Sequence, residues 1–114
     1  MLTIDALRQF GANTKDGLGR CMNNEAFYLR LVNMALEDAN FGRLAAAIES
    51  GDKKEAFEAA HALKGVFANL SITPICEQVS KMTELLRADM DADYSALLAQ
   101  LLERKNALIA LRDQ

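Results

Sequence analysis

Apolar residues recur along this chain three and four positions apart, which is the pattern of amphipathic helices. The pattern predicts two short N-terminal helices: one that Thr3 caps and that runs to about Phe10, and one over Lys15 to Met22 that starts at Asn13 or Thr14. Four longer helices follow, of which the first three have the predicted N-caps Asn24, Asp52 and Thr73, and the last begins at about Asp93. Long helices with short connections favour an all-α fold. We expect an antiparallel up-down four-helix bundle, with the short additional N-terminal helices covering one end.

Each long helix has a stripe of apolar side chains that we expect to face the core. In the first, the stripe comprises Phe27, Tyr28, Leu31, Met34, Ala35 and Ala39, and Leu44, Ala47 and Ile48 continue it to Ser50-Gly51. Whether this helix breaks near Asn40-Phe41-Gly42 is left open by the pattern. In the second helix the stripe comprises Leu63, Phe67 and Leu70, backed by Ala56 and Ala60. In the third it comprises Ile75, Val79, Met82 and Leu86, and in the last Tyr94, Leu97, Leu98, Leu101, Leu102, Leu108 and Leu111.

Residue chemistry at the helix starts adds detail to this prediction. Glu55, three residues after Asp52, suggests a capping box in which Asp replaces the usual Ser or Thr. Pro74 suits the first helical position after Thr73.

Composition narrows the class of protein. The chain has 114 residues, 51% of them hydrophobic, which suits one domain, residues 1–114, with a core of its own. A net charge of −3 without a basic cluster argues against nucleic-acid binding. Cys21, Cys76 and a single histidine make no recognisable zinc site, so we expect buried thiols. With neither a signal peptide nor an apolar run of about 20 residues, we expect a cytoplasmic protein with no membrane partner. Nothing resembles a long exposed apolar seam, so we expect a monomer.

The only histidine, His61, lies in a helix whose two sides differ. His61, Lys64, Gly65 and Ala68 share one stripe, opposite the apolar stripe of the same helix. A glycine inside a helix costs about 1 kcal/mol relative to alanine. Gly65 therefore indicates that another molecule must come close to the backbone one turn after His61.

This arrangement favours phosphoryl transfer over hydrolysis. An exposed imidazole is a good nucleophile near neutral pH, but hydrolysis also needs a partner base or an oxyanion hole, and none lies at a recognisable spacing. Phosphoryl transfer depends mainly on positioning and charge neutralisation. Lys64, three residues after His61, can offset the charge of about −2 on an added phosphoryl group. Phe57, one turn before His61, is either a core residue or an apolar anchor for a docking protein.

These residues resemble a known family. The run His61-Ala62-Leu63-Lys64-Gly65, followed by Asn69-Leu70, resembles the signature of histidine-containing phosphotransfer (HPt) domains. The similarity extends outward from about Ile4 to Leu86, and the last helix matches only in pattern. Three positions depart from the family: Phe67, where it usually has a small residue, and Ala68 and Ser71, where glycine is common. None of them removes the histidine, lysine or glycine of the signature.

The resemblance implies a function and a role for each candidate residue. HPt domains are four-helix bundles that take a phosphoryl group from an aspartyl phosphate on one receiver domain and pass it to another. By this resemblance, His61 is the phosphoacceptor through Nε2, Lys64 stabilises charge, Gly65 gives clearance to receiver loops, and Phe57 and Ala68 belong to the docking surface. Gln78 on the next helix would orient the imidazole.

The resemblance also implies which activities and ligands belong to the partner proteins. We expect no intrinsic kinase activity, no nucleotide and no bound metal, since the receiver supplies Mg²⁺. The expected partners are response-regulator receiver domains and a hybrid sensor histidine kinase.

Three alternatives remain open. A non-catalytic helical module could dock a receiver domain or another signalling partner without carrying phosphate, and the need for His61 in signalling distinguishes the two. A phosphatase acting on a phosphorylated receiver needs an acidic or amide residue beside the histidine, and Ala62 and Val66 provide none. The chain could also be a fragment of a larger hybrid kinase, although Met1 and the compact boundaries favour a free-standing protein.

Overall fold

The computed structural model describes residues 1–114 and is entirely helical. Its seven helices are α1 (Ile4–Phe10), α2 (Thr14–Arg20), α3 (Glu25–Leu36), α4 (Asn40–Ser50), α5 (Lys53–Asn69), α6 (Thr73–Arg87) and α7 (Tyr94–Arg112). Buried apolar side chains from six of the seven helices, and from the residues that flank α2, merge into one cluster, so the protein has a single hydrophobic core. The predicted all-α fold is confirmed.

Side-chain caps set most of the helix starts, as the sequence predicts. The side chains of Thr3, Asn13, Asn24, Asp52 and Asp93 each accept a hydrogen bond from the backbone N–H three residues further on. The reciprocal half of the capping box at Asp52 is absent, because the Glu55 carboxylate pairs with Arg43 of α4 instead. The backbone N–H of Asp52 donates to Ala47 O at 2.9 Å.

Two predicted helix boundaries are wrong by one or two residues. The second short helix ends at Arg20 rather than Met22, because Met22 and Asn23 have positive φ angles of 55° and 58°, which a right-handed helix excludes. Thr73 is the first residue of α6 instead of its cap, and Pro74 is therefore the second. Ile72 occupies the cap position without a side-chain hydrogen bond.

The first long helix is broken, which answers the question that the pattern leaves open. It stops at Leu36 and restarts at Asn40, slightly earlier than the Asn40-Phe41-Gly42 segment. The N-cap residue of the restart, Ala39, has no capping side chain, but the Asp38 carboxylate before it accepts a hydrogen bond of 2.8 Å from the Asn40 N–H. Two consecutive helices, α3 and α4, therefore take the place of the first long helix that the pattern predicts.

The remaining long helices complete the bundle. Helix α5 packs against α4 and α6, and α7 contacts α6 and closes the ring on α4. Because the connections between these neighbours are short, consecutive helices run antiparallel. The molecule measures 40 × 26 × 20 Å along its principal axes.

Helices α1 and α2 cover the end of the bundle at which α5 passes into α6. The backbone N–H of Asn13 donates to Ser71 O at 2.9 Å, and the Ser71 hydroxyl donates to the Asp16 carboxylate. Helix α1 also contacts α7, and Leu7 is fully buried. The predicted covering role of the N-terminal segments is confirmed.

Helix α3 is rotated relative to the prediction. Tyr28 and Ala35 are buried as expected, but so are Val32 and Leu36, which lie outside the predicted stripe. Phe27 and Met34 are exposed, at 36% and 62% of their surface, and Ala39 is exposed too. The reason is Tyr28, whose hydroxyl donates a buried hydrogen bond of 2.7 Å to Leu70 O and so determines which side of α3 faces α5.

The periphery of the core also differs from the prediction. In α7 only Leu101 and Leu108 are fully buried, and the other predicted core residues are half-buried. Cys21 is a buried free thiol, as expected, whereas Cys76 is only half-buried and lies in a groove that α2, α5 and α6 form. None of the helices combines the length and apolar character needed to cross a bilayer.

Candidate functional site

Helix α5 has one side in the core and one side in solvent. Its buried side comprises Ala56, Ala59, Ala60, Leu63 and Phe67. Phe67 packs edge-on against Phe41 of α4, with 5.7 Å between ring centroids, so its departure from the family pattern affects packing alone. His61, Gly65 and Ala68 lie on the exposed side, as the sequence predicts.

His61 lies at the middle of α5, two turns or more from either end of the helix. Its ring is stacked on that of Phe57, with 5.5 Å between centroids and 17° between planes. No other residue of the chain forms a hydrogen bond with either ring nitrogen. Phe57 itself is half-buried and packs against the core. The imidazole is therefore supported on one side by a fixed ring while its nitrogens stay accessible.

Lys64 lies beside His61 and has a partner on α6. Its Nζ is 3.5 Å from Oε1 of Glu84, and the other oxygen of this carboxylate, Oε2, is 3.5 Å from Nε of Arg87. The Arg87 guanidinium lies 5.3 Å from the centroid of the Phe57 ring, within range of a cation–π interaction. Local sequence spacing does not reveal Glu84 and Arg87, because only the packing of α6 on α5 brings them to Lys64 and Phe57.

The surface around Gly65 is open. A Cβ atom built on Gly65 has no neighbour within 4 Å, so nothing in this chain requires glycine at that position. Ala68, one turn further on, is exposed as well. Together they form a flat strip that starts next to His61 and runs toward the α5–α6 connection.

Gln78 does not have the predicted role. Its side chain is buried between α6 and α7, where its amide Nε2 donates to Leu97 O at 3.0 Å and to Gln100 Oε1 at 3.3 Å. It makes no hydrogen bond to His61. The position of Gln78 on the inner side of α6 turns its amide toward α7, while Glu84 lies on the side of α6 that reaches Lys64.

An apolar groove of about 350 Å³ borders the same strip on the side of α3. It is lined by Leu31, Met34, Ala35, Asp38, Val66, Asn69 and Leu70. The apolar pattern predicts Leu31 and Met34 in the core. Leu31 does pack against the core from its edge, whereas Met34 is exposed, and both side chains line the groove next to Val66, the neighbour of Gly65.

The comparisons with known proteins point to one family. The family model described as the Hpt domain matches residues 31–114, which contain α5 and its histidine. The chain belongs to the Hpt domain family. Unlike the resemblance from motifs, the match includes α7 and leaves out α1, α2 and the first half of α3. No curated protein and no solved structure matches the chain.

Membership of the HPt family defines the general activity. HPt domains carry out histidine phosphotransfer in two-component phosphorelays and interact there with receiver domains and kinases. The all-helical bundle agrees with this assignment.

Proposed function

We propose that this HPt domain accepts a phosphoryl group from the aspartyl phosphate of a receiver domain onto His61 and passes it to another receiver domain. The proposal rests on the exposure of His61 and on its free ring nitrogens. His61 is the only histidine of the chain, it is exposed at the middle of α5, and no intramolecular hydrogen bond occupies its ring nitrogens.

The transfer is a displacement at phosphorus. The lone pair of His61 Nε2 attacks the phosphorus atom, and an N–P bond forms as the O–P bond to the receiver's aspartate breaks. The electron pair of that bond stays on the aspartate, which leaves as a carboxylate. The second transfer reverses these events on another receiver. Because the transferring group carries negative charge throughout, the Lys64 ammonium stabilises it during both transfers.

The open strip explains how a folded donor reaches the histidine. The reacting atoms must come within about 3–3.5 Å, so loops of the receiver must lie almost on α5. Gly65 and Ala68 leave room for them. Apolar side chains of the α3–α5 groove, mainly Leu31, Met34 and Val66, provide area that a receiver can bury beside this strip. On this proposal Mg²⁺ belongs to the receiver.

The decisive experiment compares the wild type with His61→Gln. Both proteins are incubated with receiver domains that carry a radiolabelled aspartyl phosphate, and circular dichroism verifies that the variant folds. We expect label on the wild type alone, and this label should be labile to acid and stable to base, as a phosphoramidate is. Label on His61→Gln would contradict the assignment. Stable binding of receivers without any transfer would instead support the alternative, a non-catalytic docking module.

A further inference from the structure

Five side chains form a continuous series of contacts that begins at His61 and ends at Lys64. His61 stacks on Phe57, Phe57 lies under Arg87, Arg87 pairs with Glu84, and Glu84 pairs with Lys64, which lies one turn after His61 on α5. Four of these side chains are aromatic or cationic. Glu84 is the only anion in the series, and it lies next to a site that must receive a strongly anionic group.

The contacts of Glu84 are easily exchanged. Both of its ion pairs have N···O distances of 3.5 Å, and neither satisfies hydrogen-bond geometry. The side chains of Glu84 and Lys64 keep 59% and 35% of their surface exposed. Pairs of this kind contribute about 0–1 kcal/mol, so a stronger anion can displace the carboxylate at little cost.

A phosphoryl group on His61 is such an anion. It brings a charge of about −1.5 to −2 and three acceptor oxygens to the stripe that carries Lys64. It therefore competes with Glu84 for one ammonium group and also repels the carboxylate. Glu84 keeps a cation partner after it loses Lys64, because Arg87 lies three residues further along α6 and its Nε is already 3.5 Å from Oε2.

We infer that Glu84 is a positioning residue that holds Lys64 while His61 is unmodified and moves fully onto Arg87 when His61 is phosphorylated. This inference rests on the proposed function of His61. Because Glu84 competes for Lys64, phosphorylated His61 is less stable than it would be if the Lys64 ammonium had no other partner. Glu84 thereby adjusts the stability of the phosphohistidine so that the group can still be passed on to the next receiver.

The test uses a donor that needs no partner protein. Monophosphoimidazole transfers its phosphoryl group to histidine, with formation of one N–P bond, cleavage of another and return of the electron pair to imidazole. In an excess of free imidazole the reaction is reversible, and ³¹P NMR measures the ratio of phosphohistidine to phosphoimidazole. The proteins compared are the wild type, Glu84→Gln, Glu84→Asp and Arg87→Gln. Glu77→Gln is the matched control, since Glu77 is an exposed glutamate of α6 without a cation partner.

We expect Glu84→Gln and Arg87→Gln to change the ratio of phosphohistidine to phosphoimidazole in opposite directions. Glu84→Gln should raise the equilibrium ratio about 1.5- to 5-fold, the range of an exposed ion pair, and Arg87→Gln should lower it by a similar factor. Glu84→Asp should restore most of the wild-type value, and Glu77→Gln should match the wild type. If the ion pair of Glu84 and Arg87 had a merely structural role, both substitutions would change the equilibrium ratio in the same direction.

A spectroscopic signature tests the exchange directly. The ¹⁵Nζ resonance of Lys64 should shift on phosphorylation of the wild type, because its partner changes from a carboxylate to a phosphoryl group. In unmodified Glu84→Gln it should already lie at the position of an unpaired lysine. If Glu84→Gln and Glu77→Gln have the same ratio and the resonance does not shift, the inference is overturned while the proposed function stands. If the wild type takes no label on His61, both are overturned.

Discussion

Four glycines lie inside helices of this domain, and they differ in whether the surrounding structure leaves space for a side chain. A Cβ on Gly17 of α2 would lie 2.5 Å from Cζ of Tyr28, so the tyrosine ring occupies the space of a missing side chain. Gly19, Gly42 and Gly65 have nothing within 4 Å of a Cβ. Only Gly17 is therefore required by the packing of the chain itself.

Replacement of Gly17 by alanine should destabilise the protein. The added Cβ must displace the Tyr28 ring, which is fully buried, and overpacking of this kind costs about 1–3 kcal/mol. Gly19→Ala, in the same helix, is the control and should leave stability unchanged or raise it by up to about 1 kcal/mol through helix propensity. Urea denaturation of both variants measures the difference. Equal stabilities would show that the ring moves aside without cost.

The end of α5 shows how neighbouring elements compensate for an unfavourable residue. Ser71 follows the helix with a φ of 56°, a left-handed conformation that glycine adopts more easily than serine. Its hydroxyl donates to Asp16 of α2, and this bond, with the nearby Arg20 as a lesser cause, holds the pKa of the Asp16 carboxyl below its usual range. The contact between α2 and the helix end thus offsets part of the strain at Ser71.

Tyr28 joins α3 to the same helix end, and its titration should be visible in the stability of the protein. Burial raises the pKa of Tyr28 to about 12, from an ordinary value near 10. The folded state therefore binds the phenolic proton more tightly than the unfolded state. The resulting stabilisation is fully present below about pH 10 and is lost as the pH rises toward 12.

Tyr28→Phe isolates this contribution. The variant loses the hydrogen bond to Leu70 O and should be about 1–2 kcal/mol less stable at neutral pH, because the carbonyl oxygen is left without its partner. As the pH increases from 10 to 12, the difference between wild type and variant should shrink. Urea titrations of both proteins across this range measure it, and other groups that titrate there cancel in the comparison. A constant difference would contradict a raised pKa of Tyr28.

At the scale of the whole molecule, the docking surface that we propose is one exposed strip of α5. Gly65→Arg should slow phosphoryl transfer from a receiver domain about 10- to 100-fold, because a large side chain keeps the two reacting atoms apart. Labelling by monophosphoimidazole should stay at the wild-type rate, since this donor is small. The matched control is Gly42→Arg on α4, an exposed helical glycine outside the His61 stripe.

The two donors separate the possible outcomes of this substitution. Loss of labelling with both donors would indicate damage to His61 itself. Normal transfer from the receiver would show that clearance at Gly65 has no part in docking.

The sequence alone determined the features that depend on residues within about one helical turn of each other. The capping side chains, the buried stripes of α5 and α6 and the exposure of His61 follow from local hydrogen bonds and from the 3.6-residue period. The resemblance to HPt domains rests on the same local run of residues, from His61 to Leu70, and the family match confirmed it.

Only the tertiary structure decided which residues from different helices meet. Helix α3 is apolar on more than one side, so its pattern permits two rotations, and the pairing of Tyr28 with Gly17 and Leu70 selects one of them. In the same way, the packing of α6 on α5 brings Glu84 to Lys64 and turns Gln78 toward α7. Such contacts join residues far apart in the chain, and their choice depends on the fit of whole helix surfaces, which a periodic pattern does not encode.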